Sequence, residues 1–266
     1  MKIRRKSLTL FYILLTILGS TLAHGQEISI GFQDSIRSEI LDEYRTLYVR
    51  LPADYSTSDK VYPVLYRFDG STNLFTETVG VIRRLAYMEE VIPDMIVVLI
   101  GNTDRNRDMM PVESVYLNSE PGAANFKLFL EDELIPFIDR SYRTTHERIL
   151  CGQSLSAIFT LYCLLTGPEI FNSYIACSPA FLDRGDYFIH LTEKMLQTGQ
   201  VQTRKIFLTH GTRDHLDPNG SVQEQLQYFI QLISADINLV SKLHIYEDEG
   251  HVPYPSLYHG LKFIYE

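Results

Sequence analysis

The chain contains 266 residues, of which 45% are hydrophobic, and its formal net charge at pH 7 is −9. That length is enough for one large domain with a sizeable core. The acidic balance disfavours nucleic acid and anionic membrane surfaces as partners. The sequence has no C-x-x-C pair and no His-x-x-x-His pair, so it predicts no metal site and no cofactor.

The first 25 residues have the pattern of a secretory signal peptide. Lys2, Arg4, Arg5 and Lys6 precede an apolar run at residues 8–18, and small residues follow. The run is too short to span a bilayer comfortably, so we expect cleavage and no stable membrane anchor. Removal of the four basic residues takes the formal charge from −9 to −13. The pattern predicts a secreted or periplasmic protein whose residues 26–266 form a single domain.

Beyond the leader, predicted strands alternate with predicted helices. The alternation predicts an α/β fold with a mostly parallel central sheet flanked by helices on both faces. In such sheets ligands bind beyond the carboxyl ends of the strands, so the segments after the strands are the candidate site. Strands are predicted at residues 28–32 (weakly), 45–51, 61–68, 95–100, 149–151, 171–176, 205–210 and 242–246. Helices are predicted at residues 81–90, 125–138, 157–165, 187–197, 222–233 and 255–264.

One strand–turn–helix stands out. The strand at 149–151 leads into Gly152-Gln153-Ser154-Leu155-Ser156, and an apolar helix follows. A serine on a sharp turn between a strand and a helix, with small residues two before and two after, is the pattern of a nucleophile elbow. Ser156 replaces the second glycine of the usual G-x-S-x-G. The alternative is an ordinary strand–turn–helix in which a serine caps the helix.

Two later loops supply the partners that such a serine needs. Asp214 follows the strand at 205–210, and His251 follows the last strand. The chain order Ser154, Asp214, His251 is the order of an α/β-hydrolase triad. These three residues are therefore the predicted nucleophile, acid and base.

Several nearby residues are alternatives for the acid and the base. Asp217 lies three residues beyond the predicted acid but precedes a proline, which suits a turn. The acidic turn at 247–249 is more typical of a solvated surface. His210 and His259 fall at a strand end and inside a helix, where histidines are usually packed or solvated. His215 is a candidate to line the site.

An oxyanion hole requires two N–H donors. The residue after the nucleophile, Leu155, is expected to supply one of them, and the loop after an early strand the other. Residues 69–75 form that predicted loop, in which Ser71 is the preferred donor and Gly70 the alternative, because glycine permits close backbone approach. A plain Asp-Gly turn would explain the same residues without a function.

Several segments together resemble the putative-esterase family of α/β hydrolases, which includes siderophore esterases such as enterochelin esterase, esterase D and feruloyl esterases. They are residues 62–70, the G-N-T-D-R-N-R-D run at 101–108 with Pro111, residues 129–144, the elbow, Ser178-Pro179, residues 211–214 and Gly250-His251. The resemblance covers the chain from about residue 45 onward. It implies a small-molecule or oligosaccharide ester as substrate, including siderophore and feruloyl or acetyl sugar esters. It leaves an acyltransferase or a non-catalytic binding protein as the rival interpretations.

Candidate substrate-binding residues lie around the predicted site. Phe75, Tyr116 and Phe181 are expected to wall the pocket, the second of them from an irregular segment at 102–124. Arg105 and Arg107 are candidates to bind an anionic substrate group. The alternative for both arginines is pairing with Asp104 or Asp108 to hold the segment in place.

Overall fold

A computed structural model describes residues 28–167, 169–181, 184–198, 204–235 and 238–266. The predicted signal peptide lies outside the described residues.

Eight strands of the described chain form one sheet. Its order is β1-β2-β4-β3-β5-β6-β7-β8. The pairs β1–β2 and β2–β4 are antiparallel, and every other neighbouring pair is parallel, which confirms the predicted mostly parallel sheet. The strands are β1 Phe32–Ser38, β2 Glu43–Arg50, β3 Tyr62–Gly70, β4 Ile96–Gly101, β5 Thr144–Gln153, β6 Ser173–Cys177, β7 Arg204–Gly211 and β8 Leu239–Tyr246.

Helices cover both faces of the sheet, as predicted. One apolar cluster lies between the sheet and α1 and α8, and the larger cluster lies under α3 to α7. All residues of β4 and β6 are buried. Burial of β4 on both faces explains why this strand appears in the sequence as a continuous apolar run. The helices are α1 Thr72–Arg83, α2 Arg105–Met109, α3 Ala123–Leu128, α4 Ile135–Ser141, α5 Leu155–Thr166, α6 Gly185–Thr198, α7 Ser221–Ile233 and α8 Ser256–Tyr265. Single π-helical segments, Arg84–Met88 and Phe129–Leu134, extend α1 and connect α3 to α4.

Two predicted elements are displaced in the structure. The predicted helix at 81–90 covers the end of α1 and the π-helical segment that follows it. α1 already begins at Thr72, where the Ser71 hydroxyl accepts the Leu74 N–H. The polar first turn of α1 conceals its helical period in the sequence. The weakly predicted strand at 28–32 is wrong, since β1 begins at Phe32 and is a polar edge strand with little apolar alternation.

Two glycines allow the elements of the site to approach closely. A Cβ on Gly152, at the end of β5, would lie 2.2 Å from the carbonyl oxygen of Ser156 in α5. A Cβ on Gly211, at the end of β7, would lie 2.3 Å from the carbonyl oxygen of Gly250. Only glycine permits both contacts. The first holds the helix of the elbow against its strand, and the second holds the loop of His251 against the loop of Asp214.

Candidate active site

Ser154 occupies a sharp turn between β5 and α5. Its φ is +55° and its ψ is −119°, a conformation that non-glycine residues rarely adopt. Its N–H donates to the carbonyl of Cys177 (2.8 Å), and its carbonyl begins α5 by accepting the Ile158 N–H (3.3 Å). Its side chain makes no capping hydrogen bond, so the helix-capping alternative is wrong. Ser154 is half-buried.

Asp214 and His251 meet at the carboxyl ends of β7 and β8. The distance between His251 Nδ1 and Asp214 Oδ2 is 2.7 Å. The other carboxylate oxygen of Asp214 accepts the Leu216 N–H (2.9 Å), which fixes the carboxylate in a buried position. A carboxylate can only accept, so Nδ1 is the donor in this contact, and in the neutral imidazole Nε2 then has a free lone pair. Nε2 is buried and has no hydrogen-bond partner among the described residues.

Asp217, the alternative acid, has different partners. Its carboxylate accepts the N–H groups of Val222 and Gln223 (both 2.9 Å), at the start of α7. Its Oδ2 also lies 3.1 Å from Nε2 of His210, a histidine that is 2% exposed. The structure thus brings Asp214 and not Asp217 to His251. It uses Asp217 to cap a helix and to hold a buried histidine.

Several residues of the candidate site share the positive φ of Ser154. Asp69, Ser178 and Val252 also have positive φ, at 61°, 46° and 58°. The Val252 N–H donates to the Ser178 hydroxyl (3.2 Å), and the Ser178 N–H donates to the carbonyl of Thr209 (3.0 Å). Strained residues of this kind persist where the surroundings hold them, commonly at active sites. Ser178 therefore supports the loop that carries His251, a role that the sequence motif Ser178-Pro179 did not reveal.

The imidazole of His215 faces that of His251. The ring centroids are 5.5 Å apart, with the rings edge to face, and His215 is exposed. The placement agrees with its candidacy as a residue lining the site.

The candidate oxyanion donors lie on two elements. Leu155 is the first residue of α5, where N–H groups have no intrahelical acceptor. Gly70 ends β3, and Ser71 caps α1, so the predicted loop at 69–75 is a strand end followed directly by a helix. A Cβ on Gly70 would lie 2.8 Å from the carbonyl carbon of Ile100, which confirms that close backbone approach requires glycine here.

A network around Asp69 joins these two elements, and we call Asp69, Arg105, Gln153 and Ser156 the Asp69 network. Asp69 accepts from Arg105 Nε (2.6 Å), Asn102 Nδ2 (2.8 Å) and the Ser156 hydroxyl (2.7 Å). Burial acts to raise the pKa of the Asp69 carboxyl, but the hydrogen bonds and the positive charge of Arg105 outweigh it and lower that pKa. Asp69 is therefore an anion at neutral pH.

The prediction that Phe75 and Phe181 wall the pocket is wrong. Phe75 is 4% exposed and lies in the apolar cluster under α1, 6.0 Å from the ring of Tyr48. Phe181 is 2% exposed and packs against Phe188 at 5.5 Å. Both rings form core contacts because α1 and α6 bury their apolar faces against the sheet. Tyr116, by contrast, is exposed, and its place in the pocket wall stays a prediction.

Both candidate anion-binding arginines are paired with carboxylates. Arg105 pairs with Asp69 and donates to the carbonyl of Gln153 (3.2 Å). Arg107 pairs with Glu43 at 2.8 Å and with Asp108 at 2.7 Å. For Arg107, the structure confirms the alternative interpretation, in which the arginine pairs with Asp108 to hold the segment in place. Arg105 is also paired with a carboxylate, but its partner is Asp69, which is distant in sequence, and not the neighbouring Asp104 or Asp108 that the sequence suggested.

A cavity of about 170 Å³ adjoins the site. Gln153 and Val252, the neighbours of Ser154 and His251, both line it, together with the buried Arg67. A larger cavity, of about 720 Å³, lies around Tyr62 and Asp94. It is at the amino ends of β3 and β4, whereas the candidate site is at the carboxyl ends of the strands. Within the described ranges, no group of three potential ligands is arranged to hold a metal ion. In the same part of the chain, no helix is both long enough and apolar enough to cross a bilayer.

Comparison with known proteins assigns the family. The family model described as "Putative esterase" matches residues 38–232, which is most of the chain. The chain belongs to the putative-esterase family. This membership confirms the resemblance seen in the sequence motifs and supports ester hydrolysis as the class of reaction.

One relative in sequence and two solved structures are similar to this chain. The chain is 34% identical over 159 residues to the ferri-bacillibactin esterase BesA of Bacillus subtilis (strain 168), a match that covers 50% of this chain and 55% of that protein. The structure is similar to an IroE-like serine hydrolase from Shewanella oneidensis, with a TM-score of 0.81, 24% identity and coverage of 88% and 80% of the two chains. It also resembles the siderophore hydrolase EstA from Aspergillus nidulans, with a TM-score of 0.75, 20% identity and coverage of 91% and 96%. These likenesses confirm the α/β-hydrolase fold.

Proposed function

We propose that the protein is a serine esterase in which Ser154 is the nucleophile, His251 the base and Asp214 the acid. One observation carries the proposal: the 2.7 Å contact between His251 and Asp214, on the loops that follow β7 and β8, in a sheet whose β5 presents Ser154 on a strained elbow. Folding alone does not require these three residue types at these three strand ends.

The reaction proceeds through an acyl-enzyme. Ser154 Oγ attacks the ester carbonyl carbon while His251 Nε2 accepts the hydroxyl proton, and Asp214 stabilises the resulting imidazolium through Nδ1. The N–H groups of Leu155 and of Ser71 or Gly70 stabilise the negative carbonyl oxygen. When the tetrahedral intermediate collapses, the carbon–oxygen bond to the alcohol breaks and His251 returns the proton to the departing alcohol. Water then attacks the acyl group by the same steps and releases the acid.

The proposed substrates are small siderophore esters or feruloyl and acetyl sugar esters. The names of two relatives support the first class: EstA is a siderophore hydrolase, and BesA is a ferri-bacillibactin esterase. We further propose export to the periplasm or the medium, on the basis of the leader-like pattern in the first 25 residues.

The decisive variant is Ser154→Ala, measured on short p-nitrophenyl esters with the purified chain from residue 26. We expect kcat/KM to fall by about 10⁴-fold or more, because the nucleophile is lost. Ser221→Ala, on the exposed start of α7, is the matched control and is expected to leave the rate unchanged. A Ser154→Ala variant as active as the parent would refute the proposal.

Two further measurements separate the rival functions. A fluorophosphonate probe should label the folded parent protein and leave Ser154→Ala unlabelled, whereas a binding protein on this fold would remain unlabelled in both forms. A panel of siderophore, feruloyl-sugar and acetyl-sugar esters identifies the substrate class. Product analysis with added alcohols detects acyl transfer, in which an alcohol takes the place of water.

A further inference from the structure

Ser156 departs from the glycine of the usual elbow, and its hydroxyl is fully engaged. The residue is 0% exposed. Its Oγ accepts the Gln153 N–H (2.8 Å). Its one proton has two acceptors within reach, Asp69 Oδ2 (2.7 Å) and the carbonyl of Gln153 (2.9 Å), and the carboxylate anion is the nearer and stronger of the two. We propose that Ser156 is a positioning residue that, through Asp69, sets the distance between the two halves of the oxyanion hole. The proposal rests on the esterase function proposed above.

The elbow accommodates this serine because its closest contact lies elsewhere. The tight approach of strand and helix occurs at Gly152, where a Cβ would lie 2.2 Å from the backbone oxygen of Ser156. The side chain of Ser156 instead extends toward Asp69 at the end of β3. A side chain at this position therefore does not separate α5 from β5. It adds a contact between neighbouring strand ends that glycine could not make.

The acceptor is well suited to hold this contact. Asp69 is fixed by Arg105 and Asn102, and its lowered pKa keeps it anionic, so the bond from Ser156 is charge-assisted and stronger than a neutral one. Arg105 also donates to the carbonyl of Gln153, while Ser156 accepts the N–H of the same residue. Both backbone groups of the residue before the nucleophile are thus held by the Asp69 network.

The hydrogen bond between Ser156 and Asp69 connects the two chain segments that carry the predicted oxyanion donors. Leu155 directly precedes Ser156, and the two candidates for the second donor, Gly70 and Ser71, directly follow Asp69. The bond between Ser156 and Asp69 is therefore one residue away from the first oxyanion donor and one or two residues away from the second. An oxyanion hole works only when both donors point at the position of the negative oxygen, and a displacement of about 1 Å costs roughly a hundredfold in rate. Loss of this bond should weaken transition-state stabilisation more than substrate binding.

The test compares Ser156→Ala and Ser156→Gly with Thr160→Val. Thr160 lies one turn further along α5, is buried, and donates to the carbonyl of Ser156 (2.9 Å) without reaching Asp69. We expect both Ser156 variants to lower kcat by about tenfold to a hundredfold with KM within about threefold of the parent value. Thr160→Val should lower the melting temperature comparably and keep kcat within about twofold. Ser156→Gly restores the usual motif, so it should fold even if alanine is poorly tolerated.

Two readouts separate positioning from a general loss of stability. A boronic acid that mimics the tetrahedral intermediate should bind the Ser156 variants more weakly by the same factor as kcat falls, while a product alcohol should bind equally well. Asp69→Asn should reduce kcat similarly, and the double variant Ser156→Ala/Asp69→Asn should lose little more than either single variant.

The outcomes distinguish this inference from the proposed function. Ser156 variants that keep the parent kcat, or a kcat loss that Thr160→Val reproduces, would overturn the positioning role while Ser154 remained essential. A parent activity that survives Ser154→Ala would overturn the esterase proposal and, with it, this inference.

Discussion

The elbow and the histidine loop are held in different ways. On the elbow side, Asp69 accepts from three side chains, and Gln153 is held through both its N–H and its carbonyl. On the histidine side, one contact to Asp214 orients the imidazole, and Nε2 has no partner within the described chain. The difference follows from the proposed chemistry. Donors that stabilise a developing charge must stay fixed, whereas a base must keep one nitrogen free to exchange a proton.

We expect the largest loss of activity from a substitution on the histidine side. Asp214→Asn should lower kcat by roughly 10³–10⁴-fold, because asparagine favours the wrong imidazole tautomer and cannot stabilise the imidazolium. Asp217→Asn is the matched control, since Asp217 caps α7 and does not contact His251. Steady-state kinetics of the two variants check the assignment. A larger loss in Asp217→Asn would identify Asp217 as the acid instead.

Asp217, on the same side of the site, is expected to contribute to stability and not to activity. Asp217→Ala removes two hydrogen bonds at the start of α7 and the partner of His210 Nε2. We expect the free energy of unfolding to fall by about 2–4 kcal/mol, with kcat of the remaining folded protein near the parent value. Urea denaturation and initial rates at low temperature measure the two quantities. A kcat loss as large as that of Asp214→Asn would contradict this division of roles.

Ser178→Ala tests how firmly the histidine loop is held. The variant removes the acceptor of the Val252 N–H, which supports the strained residue next to His251. We expect a loss of about 1 kcal/mol in stability and a fall in kcat of about fivefold. Ser221→Ala again serves as the control, because it removes a hydroxyl from an exposed helix start. A Ser178→Ala enzyme with unaltered kcat would show that Asp214 alone positions His251.

The smallest effect is the pH dependence of the stability that Asp69 contributes, which changes only in acid. The pKa of its carboxyl is lowered from the ordinary value of 3.8, so folding favours the charged form. Its contribution to stability is therefore fully present above about pH 4 and is lost as the pH falls through the lower folded pKa. The difference in melting temperature between the parent and Asp69→Asn should stay constant from about pH 7 to pH 5 and shrink below about pH 4. A difference that grows in acid would mean that Asp69 is not held as an anion.

Several features could be predicted from residue pattern because they depend on neighbours along the chain. Apolar runs and helical spacing predicted the parallel strands and most of the helices. The order of Ser154, Asp214 and His251 at three strand ends predicted a set of residues of which the structure brings the last two into contact. The late start assigned to α1 and the misplaced first strand were errors of the same local method, since polar segments carry little apolar periodicity.

Contacts between distant segments were beyond such reasoning. Phe75 and Phe181 have the composition of pocket walls, and only the packing of α1 and α6 on the sheet shows that they are core residues. Arg105 pairs with a carboxylate 36 positions away, and Ser156 bonds to the same carboxylate across 87 positions. In the sequence, Ser156 is visible only as a replacement for the second glycine of the usual elbow. The folded chain shows it joined to Asp69, because parallel strands bring together ends that lie far apart along the chain.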